Sequence, residues 1–275
     1  PTPFISMLRV RPLFIPEQTK NPYIAVEVID KQTVIFRHEI NQGLKSITKD
    51  KLYMCTKVIP PVGKTNQILS KGILDLVNDS FKGFSQSVFI IGGKFSGKTH
   101  TFLGNINDPG LAFQISRALY QQKQKIFINS KIFVSFFGFE NGFRDLLAFT
   151  GHYLEHVSTQ NGCYLPGLAQ IQCNEYHDFL CGLKCALKND GKRDINRSPF
   201  TSFFKEFLGG KGKSYVIGNC SPFIYDLEYS MRTVRQIQWS FKSTCNPQQN
   251  FWQGNVQESF KSNFYKTIQF FKPQQ

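Results

Sequence analysis

The stretch from Ser87 to Gly104 reads SVFIIGGKFSGKTHTFLG and decides the fold. Its first part, Val88 to Ile91, is an unbroken apolar run, which predicts a strand that is buried on both faces. The residues after it satisfy the pattern G-x-x-x-x-G-K-[ST], and Thr99 to Leu103 can open a helix. A strand, a glycine-rich loop and a helix in this order predict a loop that holds a polyphosphate with backbone N–H groups and a helix N-terminus.

The residues of this loop have separate predicted roles. Lys98 would reach the β- and γ-phosphates of a nucleotide, and the Thr99 hydroxyl would be the ligand of Mg²⁺. The ring of Phe95 would crowd the space that the phosphates need, and a positive φ at that position would cost about 1–2 kcal/mol. We therefore expect nucleotide binding here to be weak or absent. The predicted nucleotide-binding residues of the loop are Gly92, Gly93, Lys94, Phe95, Ser96, Gly97, Lys98, Thr99 and His100.

Composition limits the class of protein. The chain has 275 residues, of which 41% are hydrophobic, so it can bury a large core. No apolar run approaches the 18 or so residues that a membrane span requires. The seven cysteines are an odd number and widely spread, which indicates free thiols in a reducing compartment. We expect a protein of the cytoplasm without a membrane segment.

The net charge of +14 is unevenly distributed along the chain. Residues 1–144 carry a net charge of +10, residues 145–183 carry −4 without any Lys or Arg, and residues 184–275 carry +8. A basic protein favours an acidic partner, such as nucleic acid, an anionic membrane or the acidic surface of a filament. Charge alone does not choose among these partners, and simple solubility is a further explanation.

Hydrophobic periodicity predicts strands that alternate with helices. Strands are predicted at residues 7–13, 23–30, 33–36, 53–59, 131–139 and 214–220. Helices are predicted from residue 66 to a stop at Gly83, and over 111–122, 175–187, 198–208 and 227–241. This order around a phosphate loop predicts an α/β fold, with a mixed central β-sheet and helices on both faces.

Several segments, in this order, resemble the motor domain of kinesins. They are LRVRPL at residues 8–13, YMCTKVI at 53–59, GFSQSVFIIGGKFSGKTHTFLG at 83–104, VSFFGFENGFRDLL at 134–147, YLPGL at 164–168, SPFTSFFKEFLGGKGKSYVIGNCSP at 198–222 and LEYSMRTVRQI at 227–237. The resemblance implies a P-loop NTPase fold of the kinesin-motor type over residues 1–245. It also implies that Arg9, Arg11 and Pro12 flank the adenine of ATP or ADP, bound with Mg²⁺.

The two switch segments of that family have no recognisable counterpart. They should lie between the helix that begins near Glu175 and Ser198, but residues 187–197 read LKNDGKRDINR. Phosphoryl transfer needs groups that orient the attacking water, hold Mg²⁺ and stabilise charge on the γ-phosphate, and in kinesins the switches supply them. We therefore expect that the switch region, between about 188 and 197, is deleted and that the chain has no catalytic residues. The resemblance then implies a structural, microtubule-associated protein that does not hydrolyse ATP.

Two other functions stay open. One is an active ATP-dependent microtubule motor, whose switch segments would be present but disordered. A basic P-loop protein that binds nucleic acid is the third possibility, and the order of the matching segments argues against it.

The resemblance implies a microtubule as partner, and charge predicts where it docks. Residues 151–173 contain no Lys or Arg and cannot attract acidic tubulin. Residues 246–275 are rich in Gln and Asn, occupy the position of the kinesin neck linker, and are expected to bind other cytoskeletal or axonemal proteins. The expected location is the cytoskeleton, with the cilium or axoneme as a special case. The predicted microtubule-binding residues are Arg193, Arg197, Ser198, Thr201, Lys205, Lys211 and Lys213.

One further pattern invites a metal site. Cys173, His177, Cys181 and Cys185 recur every four residues. On a single helix the first and the last would lie roughly 18 Å apart, too far for one Zn²⁺ ion. The spacing therefore favours a packed helix face over a metal site.

Overall fold

The computed structural model describes residues 2–19, 23–42, 45–68, 72–126, 130–139, 142–148, 153–159, 162–189, 212–249 and 268–271. Within these ranges, residues 38–42, 45–49, 158–159, 162–163 and 268–271 are described by their backbone alone. The helix predicted over 198–208 and most of the region in which the switches were expected lie outside the described residues.

The described ranges contain many short strands and six helices. The strands are, in chain order, β1 Thr2–Pro3, β2 Ile5–Val10, β3 Val26–Val28, β4 Thr33–Gln42, β5 Lys45–Met54, β6 Lys57–Ile59, β7 Gln86–Gly92, β8 Ile132–Val134, β9 Phe137–Phe139, β10 Phe143–Asp145, β11 Tyr153–Leu154, β12 Val157–Thr159, β13 Gly162–Tyr164, β14 Ile171–Cys173, β15 Lys213–Cys220, β16 Thr244–Cys245 and β17 Ile268–Phe271. The helices are α1 Ile15–Gln18, α2 Gly72–Phe81, α3 Lys98–Phe102, α4 Leu111–Lys125, α5 Tyr176–Asn189 and α6 Leu227–Phe241.

A five-stranded sheet in the order β17-β7-β15-β2-β6 forms the centre, and its strands pair in parallel. In this sheet Asn219 of β15 lies between Gly92 of β7 and Arg9 of β2. Because parallel strands end at the same edge of a sheet, the loop after β7 lies beside the chain that follows β2. The sheet thus brings the glycine-rich loop next to the Arg-Val-Arg-Pro segment.

Helices cover both faces of this sheet. Successive side chains of a strand point to opposite faces. In β7, Val88 and Ile90 pack in the cluster that holds α2 and α4, whereas Phe89 packs in the cluster that holds α6. The predicted α/β fold with helices on both faces of the central sheet is confirmed. The antiparallel pairs of the described chain lie in smaller sheets around it, including the long hairpin of β4 and β5.

Two predicted strands are each divided. Residues 53–59 contribute the end of β5, which pairs with β4, and the whole of β6, which pairs with β2. Buried Cys55 lies at the change of sheet, and the backbone N–H of Thr56 donates to the Ser6 carbonyl oxygen (2.8 Å). Residues 131–139 are likewise divided into β8, paired with β14, and β9, paired with β10. The prediction of single strands is wrong here because one apolar run serves two sheets.

The last described strand comes from the Gln- and Asn-rich C-terminal residues. Ile268–Phe271 pairs in parallel with residues 86–89 of β7, on the side away from β15. The predicted boundary at residue 245 stays a prediction. β17 follows that boundary in the chain, and it pairs with β7 of the central sheet, which precedes the boundary.

Within the described ranges, none of the helices combines the length and the apolar character needed to span a bilayer. The six cysteines whose side chains the structure describes are all free thiols.

Candidate nucleotide site

Two glycines shape the loop between β7 and α3. Gly97, the residue before α3, has a φ of 98°, which glycine adopts without steric cost. At Gly92 a Cβ atom would lie 2.4 Å from the Ser96 Oγ atom and 2.5 Å from the Asn219 carbonyl oxygen. Position 92 thus needs glycine because there is no room for a side chain, and position 97 needs it because of its backbone conformation.

Lys98 lies inside this loop, with only 4% of its surface exposed. Its Nζ atom donates hydrogen bonds across the loop to the carbonyl oxygens of Gly92 (2.8 Å) and Gly93 (2.5 Å). The Ser96 hydroxyl donates to the same Gly93 oxygen (2.8 Å). A buried ammonium group requires such partners. The loop therefore carries a positive charge at its centre.

Thr99 and His100 follow in the first turn of α3. Thr99 is an exposed residue. Burial and the nearby Arg9 guanidinium lower the pKa of His100, although Asp108 acts in the opposite direction. The lowered pKa favours the neutral form of the His100 imidazole.

Phe95 has a φ of 57°, and among the described residues other than glycine it alone has a positive φ. Its side chain is 63% exposed, with the Lys94 Nζ atom 5.4 Å from the ring centroid. The ring is therefore not packed into the core, and whether it crowds a bound phosphate stays a prediction. The expected backbone strain is present.

Arg11 holds the backbone of Phe95 in place. The Arg11 Nε atom donates to the Phe95 carbonyl oxygen (2.7 Å), while Nη1 and Nη2 donate to the two carboxylate oxygens of Glu17 (2.7 and 2.6 Å). Nη2 also donates to Asp226 Oδ2 (3.3 Å), and the guanidinium lies 3.9 Å from the ring centroid of Phe14. Burial alone would raise the pKa of Glu17, but hydrogen bonds from Arg11 and from the Phe14 N–H hold that pKa below its usual value.

Arg9 takes part in a second network of hydrogen bonds and ion pairs. It is 7% exposed, and its Nη1 atom donates to the hydroxyls of Thr65 (2.8 Å) and Thr101 (3.1 Å). Its Nη2 atom forms an ion pair with Asp108 (3.4 Å). Burial lowers the pKa of Arg9, and Asp108 opposes that effect. The guanidinium thus connects β2 to α3 through Thr101, and also to Thr65 and Asp108.

The structure thus brings every predicted nucleotide-binding residue to one region. Arg9 contacts that region by its hydrogen bond to Thr101, and Arg11 by its hydrogen bond to Phe95. Pro12, the next residue in the chain, is exposed. Whether these residues bind nucleotide stays a prediction.

Sequence reasoning missed the residues that hold this region together. They come from distant parts of the chain, and no local pattern marks them. A Cβ at Gly93 would lie 2.5 Å from the Cβ atom of Tyr229, so the last helix packs directly on the loop. The missed residues are Glu17, Thr65, Thr101, Asp108, Asn219, Asp226 and Tyr229.

Of the predicted microtubule-binding residues, only Lys213 lies within the described ranges. Its Nζ atom forms an ion pair with Asp79 and lies 5.3 Å from the ring centroid of Phe84. This lysine therefore supports the fold at the start of β15, whatever its contribution to a partner.

The four residues of the metal pattern do not share one helix. Cys173 is buried on β14, and the other three lie on α5, where Cys181 is exposed next to His177 (Sγ to Nδ1, 3.6 Å). The prediction of one packed helix face is wrong for this reason. In the described part of the chain no group of three or more His, Cys, Asp or Glu side chains could hold a metal ion.

Three comparisons with known proteins agree with this architecture. The family model of the kinesin motor domain matches residues 9–198. The mouse kinesin-like protein KIF18B is 24% identical over 182 residues, which are 59% of this chain and 22% of that protein. The kinesin-like protein KIN-7G of Arabidopsis thaliana is 32% identical over 109 residues, 40% of this chain and 10% of its own length. The chain thus spans less than a quarter of the length of these relatives.

A solved structure shares the fold. It is a structure of KIF14 residues 391–772, described as a dimer in a two-heads-bound state with AMP-PNP in complex with a microtubule. The two chains align with a TM-score of 0.76 and 17% identity, over 90% of this chain and 96% of the other. Since the family model covers well over half of the residues, the chain belongs to the kinesin motor domain family.

Proposed function

We propose that the chain is a microtubule-associated, kinesin-like protein that binds ATP or ADP with Mg²⁺ at its phosphate loop and does not hydrolyse the nucleotide. The observation that carries the nucleotide site is the position of Lys98. Its ammonium group is buried inside a closed glycine loop at the carboxyl end of a central parallel strand. This is where α/β sheets bind their ligands.

The groups around this position fit a nucleotide with its metal. Gly92 and Gly97 present no Cβ atom to the space that the loop encloses. A lysine ammonium is suited to phosphate oxygens, and the Thr99 hydroxyl is suited to Mg²⁺. When a nucleotide binds, Lys98 would donate a hydrogen bond to a phosphate oxygen, either in place of its two carbonyl partners or in addition to them. Thr99 would hold the metal. The phosphates would supply most of the negative charge that the metal needs.

The absence of hydrolysis rests on the sequence between α5 and β15. Residues 190–212 separate these elements. They contain neither of the two switch sequences that kinesins have, which are a Ser-rich segment and an Asp-Leu-Ala-Gly segment. A phosphate loop alone positions the nucleotide, but it does not orient the attacking water. The chain would then use nucleotide as a structural ligand.

Family membership and charge support a microtubule as the partner. The solved structure with the same fold contains a microtubule. Residues 192–213 of this chain include six Lys or Arg side chains that could face an acidic filament: Lys192, Arg193, Arg197, Lys205, Lys211 and Lys213. We further propose a cytoskeletal location, the axoneme included, and a role for residues 246–275 in binding other cytoskeletal proteins.

The second candidate is an active ATP-dependent motor. The closed phosphate loop and the family match that extends to residue 198 favour it. It differs from the first candidate in a single observable, the turnover of ATP on a microtubule.

The nucleotide site is tested by calorimetric titration of MgATP and MgADP into the wild type, Lys98→Ala and Lys125→Ala. Lys125 is exposed at the end of α4 and serves as a charge-matched control. We expect binding that Lys98→Ala abolishes and Lys125→Ala leaves unchanged. Equal binding by all three proteins would contradict a site at this loop.

A further inference from the structure

Asn219 is a polar residue in the middle of the central sheet, and only 1% of its surface is exposed. It lies near the end of β15, paired with Gly92 of β7 on one side and with Arg9 of β2 on the other. A buried amide needs hydrogen-bond partners, because an unpaired polar group in the interior is costly. The partners of Asn219 include residues at both ends of the phosphate loop.

The Asn219 side chain connects the strand that enters the loop to the helix that leaves it. Its Oδ1 atom accepts a hydrogen bond from the Thr101 hydroxyl in α3 (2.5 Å). Its Nδ2 atom donates to the carbonyl oxygen of Ile91 (3.3 Å), the residue before the first loop glycine, and to that of Ile217 (3.4 Å). One side chain thus bridges residues 91 and 101, which flank the glycine-rich loop.

The direction of these bonds is fixed by their neighbours. The Arg9 Nη1 atom can only donate, so its bond to the Thr101 hydroxyl (3.1 Å) uses a lone pair and leaves the hydroxyl proton for Asn219. Carbonyl oxygens can only accept, so the Nδ2 atom of Asn219 must face Ile91 and Ile217. The bonds therefore run in one direction from Arg9 through Thr101 and Asn219 to Ile91.

This bridge complements the contacts of Lys98. The Lys98 ammonium holds the next two carbonyl oxygens of the chain, those of Gly92 and Gly93. A bound phosphate would compete with both of them for the ammonium. The bond from Asn219 to Ile91 does not involve Lys98, so it would continue to hold the start of the loop when Lys98 donates to a phosphate.

We propose that Asn219, with Thr101 as its partner, is a positioning residue of the phosphate loop. It holds the end of β7 and the first turns of α3 at the separation at which the loop N–H groups face the phosphates. It acts through Ile91 and Thr101, since its own side chain is buried. The inference rests on the proposed nucleotide binding and deepens it, because it makes phosphate affinity depend on bonds outside the glycine pattern.

The test separates positioning from stability. MgATP and Mg-tripolyphosphate are titrated calorimetrically into the wild type, Thr101→Val, Thr101→Ser, Asn219→Ala and the control Ser240→Ala, well below the melting temperature of each protein. Valine has nearly the shape of threonine but lacks the hydroxyl, whereas serine keeps it. Ser240 is also 1% exposed, and its hydroxyl is hydrogen-bonded to the hydroxyl of Ser6 (2.8 Å) at the other end of β2.

We expect Thr101→Val and Asn219→Ala to weaken both ligands about tenfold, which corresponds to about 1.4 kcal/mol. The factor should be the same for the two ligands, because they share the phosphates and differ in the nucleoside. Thr101→Ser should restore wild-type affinity. Ser240→Ala should lower the melting temperature, as any lost buried hydrogen bond does, and leave both affinities unchanged.

Two results would overturn the inference while the nucleotide site stands. One is wild-type affinity in folded Thr101→Val, and the other is an equal loss of affinity in Ser240→Ala, which would trace the effect to general destabilisation. If Asn219→Ala does not fold, the two Thr101 variants decide. If the folded wild type binds neither ligand, the proposed function fails, and the role of Asn219 fails with it.

Discussion

The Arg11 Nε atom donates a hydrogen bond of 2.7 Å to the carbonyl oxygen of Phe95, which has a φ of 57°. The two residues are 84 positions apart in the chain. This bond connects the segment after β2 to the phosphate loop, and Glu17 and Asp226 fix the guanidinium that makes it. The loop conformation therefore depends on an ion-pair cluster as well as on its own glycines.

Glu17→Gln should weaken this cluster. Both carboxylate oxygens of Glu17 accept charge-assisted bonds from Arg11, and both side chains are largely buried. We expect a loss of about 1.5–3 kcal/mol in the free energy of unfolding. Urea denaturation measures it, with Glu27→Gln as control, because Glu27 pairs with Arg37 at the surface and should cost less than about 1 kcal/mol. Equal losses in the two variants would show that the Arg11–Glu17 pair contributes no more to the free energy of unfolding than a surface ion pair does.

The same pair predicts a pH dependence. The pKa of Glu17 is lower in the folded protein than its usual value, so the stabilisation is complete above the usual carboxylate range. It is lost as the pH falls through the lowered pKa of Glu17. We expect the difference in unfolding free energy between the wild type and Glu17→Gln to shrink between about pH 5 and pH 3. A difference that stays constant over this range would contradict the assignment.

Arg9→Ala should destabilise the fold by about 3–5 kcal/mol, because it leaves Asp108 and two threonine hydroxyls without their buried partner. Arg37→Ala, at the exposed pair with Glu27, is the matched control and should cost less than about 1 kcal/mol. Thermal unfolding followed by circular dichroism compares the two variants. A small effect of Arg9→Ala would mean that water replaces its contacts.

Reversal of Arg197, Lys205 and Lys211 to Glu should abolish co-sedimentation with microtubules and leave the melting temperature nearly unchanged. The expected reason is repulsion between the new carboxylates and acidic tubulin. Lys31, Lys64 and Lys125 are exposed elsewhere, and their reversal changes the net charge equally. That control should still co-sediment. Loss of binding in both triple variants would indicate a non-specific charge effect, and loss in neither would exclude the predicted docking face.

Some of this molecule was predictable because the information is local in sequence. Gly92, Gly97 and Lys98 lie within seven residues, so the pattern itself predicts the closed loop and the lysine inside it. The hydrogen bond from Arg11 to the Phe95 carbonyl oxygen was not predictable, because 84 positions separate the two residues. The pairing of Arg9 with Asp108 was not predictable either, since 99 positions separate them.

The strand errors have a related cause. An apolar run such as residues 53–59 indicates that the segment is buried, but it does not indicate which strand will pair with it. The chain changes from β5 to β6 at Cys55 because β4 and β2 lie in different sheets. Periodicity within the run contains no sign of that change.

The most direct test of the account is a single-turnover experiment. The protein, in excess over nucleotide, is loaded with γ-labelled ATP and Mg²⁺ and is then mixed with microtubules. Bound nucleotide and released phosphate are measured in the same samples. The account predicts that ATP is retained uncleaved and that Lys98→Ala fails to bind it. Microtubule-stimulated phosphate release that Lys98→Ala abolishes would contradict the account and would identify the chain as an active motor.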